Sequence, residues 1–145
     1  MITKNIFDNN RNFHGAKGIV FINKKMLVYR RDNKTDSFPL YIDLPGGGRE
    51  NNESPYETFK REVKEEFGFK ITKKDILYAK QYVSAMDASK ESYFIVVRLN
   101  VTEKDIVFGD EGLDFFLIET ENYLKLNDAI RRQQNRVLDY INSKK

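Results

Sequence analysis

No cysteine occurs in the 145 residues. Structural disulfides, thiolate metal sites and any cysteine nucleophile are therefore excluded, and the absence suits a reducing compartment. No apolar run approaches the roughly 20 residues that a membrane-spanning helix needs. The opening Met1-Ile2-Thr3-Lys4-Asn5 lacks the apolar core of a secretion signal. No linker, internal repeat or low-complexity tract divides the chain, and its length is close to the roughly 150 residues of one domain. Residues 1–145 are thus read as one soluble, cytoplasmic domain. With 40% hydrophobic and 32% charged residues, the chain has the means to bury an ordinary core.

The net charge of +3 hides an uneven distribution. Residues 41–69 hold seven acids and four bases, a segment of −3, which leaves +6 for the remainder. An acidic island in a basic field is what a cation site serving an anionic ligand needs, although ordinary scatter of charge produces such islands too.

Hydropathy patterning predicts the elements. Ile19 and Phe21, then Met26 and Val28, alternate around Asn23-Lys24-Lys25 and predict a hairpin from Gly15 to Val28. Residues 32–37 form a polar loop, Phe38 to Leu44 is a short extended stretch, and Pro45-Gly46-Gly47-Gly48 breaks the chain. Tyr56, Phe59, Val63 and Phe67 then recur at helical spacing, with Ser54 as N-cap, Pro55 in the first turn and Gly68 as the stop. Strands are predicted from Ile76 to Ala85, Ser92 to Val101 and Leu113 to Ile118. A second amphipathic helix, starting at Asn127 or Asp128, carries Ile130, Val137, Leu138 and Ile141. Strands, a helix, strands and a helix make an α+β chain, an α/β/α arrangement around a mixed central sheet.

On the first helix, Glu62 and Glu66 are four residues apart and Glu65 is three from Glu62, so the three carboxylates share one face. Like charges at that spacing destabilise a helix unless something neutralises them, and Arg61 has Glu57 one turn back as a local partner. A hard divalent cation with oxygen ligands, magnesium or manganese, is one solution; a solvated acidic face is the other. Glycines 46–48 free the backbone to approach a ligand and to aim carbonyl oxygens at a cation.

Gly47, Glu53, Arg61, Glu62, Val63, Glu65, Glu66, Gly68 and Phe69 fit the pattern G-x(5)-E-x(7)-R-E-U-x-E-E-x-G-U, where U is bulky and apolar. This resembles the Nudix box of the Nudix hydrolases at every fixed position, and the lead-in Asp43-Leu44-Pro45-Gly46-Gly47 resembles the family's approach to it. The resemblance implies a Nudix-like sandwich and hydrolysis of a nucleoside diphosphate linked to another moiety. It implies that Glu62, Glu65 and Glu66 hold magnesium or manganese with the Gly46 carbonyl, and that Glu53 pairs with Arg61 to brace the loop. Gly47 and Gly48 would lie against substrate.

One carboxylate must take the proton of the attacking water. It is either a box glutamate or an acid on a later loop. Glu111, between Gly109 and Gly112, is the leading loop candidate, with Asp110 and Asp114 as competitors. Arg30 and Arg31 end a strand and are candidates to steer phosphates. His14 is read as incidental, Tyr82, Tyr93 and Phe94 as core, and Arg131, Arg132 and Arg136 as a solvated helix face rather than a nucleic-acid patch.

Two functional classes follow. One is an active hydrolase; the other is a non-catalytic, nucleotide-sensing binding module of the same fold, which typically lacks box glutamates that are all present here. The isomerases that share the fold need a cysteine and are excluded. Partners are a small nucleoside diphosphate derivative, with capped RNA ends still among the substrates and a homodimer left open.

Overall fold

The computed structural model describes residues 2–145. Among the described residues seven strands form one mixed sheet: β1 (Phe13–Ile22), β2 (Lys25–Arg30), β3 (Ile42–Asp43), β4 (Gly46–Gly48), β5 (Ile76–Val83), β6 (Glu91–Leu99) and β7 (Asp114–Ile118). The main order is β3-β2-β1-β6-β5, with β4 on β1 and β7 on β2. At the centre β1 and β6 run parallel from Phe13↔Glu91 to Ile22↔Leu99. Three helices accompany the sheet: α1 (Pro55–Phe67), α2 (Thr120–Tyr123) and α3 (Arg131–Ser143). Among the described residues no helix is long and apolar enough to cross a membrane.

Both faces of the sheet are covered, which is why residues 19–22 of β1 and 93–97 of β6 are unbroken apolar runs. Alternate residues divide between two cores. Val20, Ile22, Tyr93, Ile95 and Val97 pack with Phe59, Val63 and Phe67 of α1. Ile19, Phe21, Phe94 and Val96 pack with Val137 and Tyr140 of α3. The sandwich is therefore α/β/α, as the sequence predicts, and Tyr93 and Phe94 are core residues on opposite faces.

α1 matches its sequence signals closely. The Ser54 hydroxyl accepts from the Glu57 N–H at 3.1 Å while the Glu57 carboxylate accepts from the Ser54 N–H at 2.9 Å. This reciprocal cap satisfies two donors left free by the first turn. Gly68, with φ of 79°, closes the helix in the left-handed conformation that glycine adopts without cost.

Other expectations are corrected. Lys25 pairs with Ile22 instead of standing in the turn, leaving Asn23 (φ 58°) and Lys24 as the connection. Between Phe38 and Leu44 only Ile42 and Asp43 form a strand, because Phe38 and Leu40 take positive φ values of 49° and 65°. Gly46 to Gly48 is a strand rather than a loop, paired with Gly15 to Lys17. The last helix starts at Arg131, not at 127 or 128. The residues before it are held extended against β3, where the Ile42 N–H donates to the Asp128 carbonyl at 2.7 Å and the Ile130 N–H to the Ile42 carbonyl at 3.2 Å.

Phe59, fully buried at the α1–sheet contact, is expected to hold the helix to the sheet. Phe59→Ala should lower unfolding free energy by about 3–5 kcal/mol, read as a lower urea midpoint at unchanged slope. A loss under about 1 kcal/mol would contradict this anchoring.

Candidate active site

Where β1, β3 and β4 converge, the carboxylate of Asp43 is fully buried. It accepts from Lys17 Nζ at 3.0 Å, Arg31 Nη1 at 2.8 Å, the Leu44 N–H at 2.7 Å and the Tyr29 hydroxyl at 3.4 Å. Burial alone would raise its pKa, but the charge and hydrogen bond of Lys17, with the Leu44 N–H, bring it below the ordinary carboxylate value. Lys17 also donates to the carbonyls of Leu44 (3.2 Å) and Gly46 (3.3 Å). One ammonium thus joins β1 to the chain entering the glycine strand.

Backbone sterics require glycine at 46, while glycine at 47 leaves room for a neighbouring side chain. Gly46 has φ of 121°, a conformation costly to other residues, and at Gly47 a Cβ would collide with the carboxylate of Glu62. The absence of a side chain at 47 is what admits Glu62 to the edge of the strand.

Glu62 and Glu66 border a cavity of about 390 Å³, together with Glu111, Lys17, Tyr29, Arg31, Asp43 and glycines 46–48. Glu66 is 7% exposed and accepts a hydrogen bond from the Gly46 N–H at 2.9 Å. Burial pushes its pKa up to about 8, against the opposing pull of Lys17. Burial also raises Glu62, with Arg61 opposing and the charges of Glu65 and Glu111 adding to the rise. A pair of carboxylates that resists ionisation beside a cavity is short of positive charge.

Arg61 organises the outer side of this pair. Its Nε donates to Glu53 Oε2 at 2.7 Å, its Nη2 to the Gly48 carbonyl at 2.8 Å, and its Nη1 to Glu65 Oε1 at 3.0 Å. Burial would raise the pKa of Glu53, but these bonds and those of the Glu50 N–H and the Thr58 hydroxyl hold it lowered. The pairing of Arg61 with Glu57 is corrected: Glu57 is occupied in the cap of α1.

The structure therefore gathers Glu62, Glu66 and Glu111 at the cavity, while Glu65, with a side chain 52% exposed, is turned to Arg61. Among the described residues no three acidic, histidine or cysteine side chains are already grouped for a metal. The carboxylates at the cavity are nonetheless oxygen donors, and the pair of Glu62 and buried Glu66 fits a hard divalent cation. Arg31 borders the cavity; Arg30 does not, since it is tied to the Leu40 carbonyl and to Asp128 at 3.0 Å.

Sequence reading passed over several residues of this cavity. Lys17 is detectable as a charge inside an apolar strand. His14 borders the cavity, as do Arg132, Gln133 and Arg136 of α3. Arg136 is buried and stacks on Tyr82, so the solvated face expected of it is corrected.

The family model of the NUDIX domain matches residues 12–139. Among curated proteins, none matches this sequence. Solved structures with the same fold include a MutT protein from Methanosarcina mazei Go1, 21% identical, with a TM-score of 0.74 over 93% of this chain and 97% of that one. An Ap4A hydrolase of C. elegans is 19% identical, with a TM-score of 0.66 over 87% of this chain and 94% of that one. A bifunctional NMN adenylyltransferase/ADP ribose pyrophosphatase from Francisella tularensis, complexed with AMP and a Mn ion, is 17% identical with a TM-score of 0.72. There the match covers 91% of this chain and 42% of the larger protein.

The carboxyl of Glu66 makes stability depend on pH. A carboxyl whose folded pKa is raised contributes stability fully below its unfolded value and loses it as pH rises through the folded value. Between the ordinary 4.5 and about 8, the metal-free protein should lose on the order of a few kcal/mol. Asp43 and Glu53, shifted the other way, lose their contributions only as pH falls through the acid range. Thermal melts in chelator should thus be highest near about pH 5 and fall toward alkaline pH, and Glu66→Gln should flatten the fall. An equal fall in both proteins would contradict the assignment.

Proposed function

This chain belongs to the Nudix hydrolase family, and we propose that it is a metal-dependent pyrophosphohydrolase acting on a nucleoside diphosphate linked to another moiety. The observation that carries this reading is the buried carboxylate of Glu66, bonded to the glycine strand and set beside Glu62 at the cavity. Two proteins that share the fold are named for related reactions, an Ap4A hydrolase and an ADP ribose pyrophosphatase.

In this reading Glu62 and Glu66 hold magnesium or manganese, with the Gly46 carbonyl and Glu65 completing the set. A divalent cation, when bound, neutralises phosphate charge and favours ionisation of water near neutral pH. The chain's own groups do the rest. Arg31 and the backbone of Gly47 and Gly48 receive the diphosphate. Arg61, through Glu53 and the Gly48 carbonyl, fixes the strand against α1; it is a positioning residue.

Glu111, at the mouth of the cavity, takes the proton as water oxygen bonds to phosphorus. The bridging P–O bond breaks, and the leaving phosphate keeps the electron pair. Residues 1–145 work as one domain in the cytoplasm in this account.

The test is a panel of nucleotide sugars, dinucleoside polyphosphates, nucleoside triphosphates and capped RNA with magnesium or manganese. Release of phosphate-bearing products from at least one class is expected; release from none would contradict the proposal. Glu111→Gln should reduce turnover on that substrate by roughly two to four orders of magnitude, the usual contribution of a general base. A loss of less than about tenfold would return the role to Glu65 or Glu62.

A further inference from the structure

The α3 side of the cavity carries a charge that the hydrolytic residues do not use. Arg136 is 7% exposed, and a guanidinium stays protonated throughout the range in which proteins are folded. It lies over the Tyr82 ring at 4.3 Å from the centroid. That contact is not a hydrogen bond, so it uses none of the N–H donors of the guanidinium.

Among the described residues no carboxylate stands within ion-pair distance of Arg136, and no acceptor takes a hydrogen bond from it. Asp139, one turn further on, is held by the Tyr82 hydroxyl at 2.7 Å and by Lys80 at 3.5 Å. Arg132, one turn back and bordering the same cavity, adds a second positive charge. Burial, reinforced by Arg132 and opposed by Tyr82 and Asp139, shifts the pKa of Arg136 downward.

Next to it in the cavity wall is Gln133, 2% exposed, whose Oε1 has no donor. A guanidinium with no direct acceptor, relieved only in part by the charge of Asp139, and a buried acceptor without a donor are both groups that a ligand can satisfy. The other cationic side chains of the cavity, Lys17 and Arg31, already share Asp43.

We propose that Arg136 and Arg132 bind a sugar-borne phosphate of the substrate other than the diphosphate that is cleaved. The phosphate oxygens take the guanidinium donors in the bidentate manner arginine favours, and a neighbouring sugar hydroxyl donates to Gln133 Oε1. The acidic residues come from α1 on one face of the sheet and the basic ones from α3 on the other. The cavity thus pairs a cation-seeking end with an anion-seeking end. This rests on the hydrolase reading for its substrate, but not for the binding itself.

Two measurements separate these parts. First, inorganic phosphate in chelator should raise the melting temperature of the wild-type protein. Arg136→Met should abolish the shift and Arg136→Lys should restore part of it. Arg132→Met, at a half-exposed position, removes the second cation with little effect on packing and should reduce the shift at least by half.

Second, matched substrates differing by one feature are compared. NADP⁺ against NAD⁺ adds one phosphate to the ribose and changes nothing else. NADP⁺ should be preferred about tenfold or more, in KM rather than kcat. The preference should vanish in Arg136→Met. A phosphate shift and a substrate preference unchanged in both Arg136→Met and Arg132→Met would overturn the proposal, as would a change in base preference alone. If phosphate binding depends on Arg136 but no nucleotide is hydrolysed, the anion site stands and the hydrolase reading fails.

Discussion

The buried carboxylate of Asp43 binds the ammonium of Lys17 from β1 and the guanidinium of Arg31 just beyond β2, and the rest of the cleft is arranged around this contact. Neither charge is tolerable in the interior without the other, because an uncompensated buried ion costs several kcal/mol. Lys17 extends the effect by donating to the carbonyls on either side of Pro45. Gly18 adds a backbone bond to the Pro45 carbonyl at 3.0 Å. The turn into β4 is thereby fixed on β1, and with it the N–H of Gly46 that orients Glu66.

From that fixed strand the division of the acidic residues follows. Glu66 is drawn inward by the Gly46 N–H, and Glu62 occupies the space that the missing side chain of Gly47 leaves. Glu65 is held on the outer side by Arg61, whose other donors are committed to Glu53 and the Gly48 carbonyl. Three carboxylates adjacent on one helix thus have different surroundings. Two border the cavity with pKa values raised by burial, and the third is paired at the surface. The outcome is a site whose electrostatics favour a cation near Glu62 and Glu66, at the head of a cavity with basic residues on its α3 side.

Local signals in the sequence were enough where a residue acts on its own neighbourhood. Ser54, Pro55 and Gly68 bound α1 as predicted, because capping and left-handed termination depend on the residue itself. The alternation of Ile19 and Phe21 beside a turn, and the tyrosine, valine and isoleucine content of Ser92 to Val101, mark β1 and β6 as strands locally. The spacing of Glu53, Arg61, Glu62, Glu65 and Glu66 placed the acidic cluster on α1, but not its division between cavity and surface. That division depends on Gly47 and Arg61 in three dimensions. The glycine strand resembles a break in the sequence because its extended form comes from pairing with β1 across a long stretch of chain. The helical position of Arg136 is compatible with either a solvated or a buried environment. Its burial is decided by Tyr82, more than fifty residues away in sequence.

The central claim is that Glu62 and Glu66 form the divalent-cation site on which hydrolysis depends. Its most direct test is titration of metal-free protein with manganese, following the free ion by its paramagnetic resonance signal. Saturable binding is expected for the wild-type chain. In Glu66→Gln, with its folded spectrum intact, binding should be at least about tenfold weaker, as for loss of one charged ligand. Equal binding by the two proteins would contradict the account.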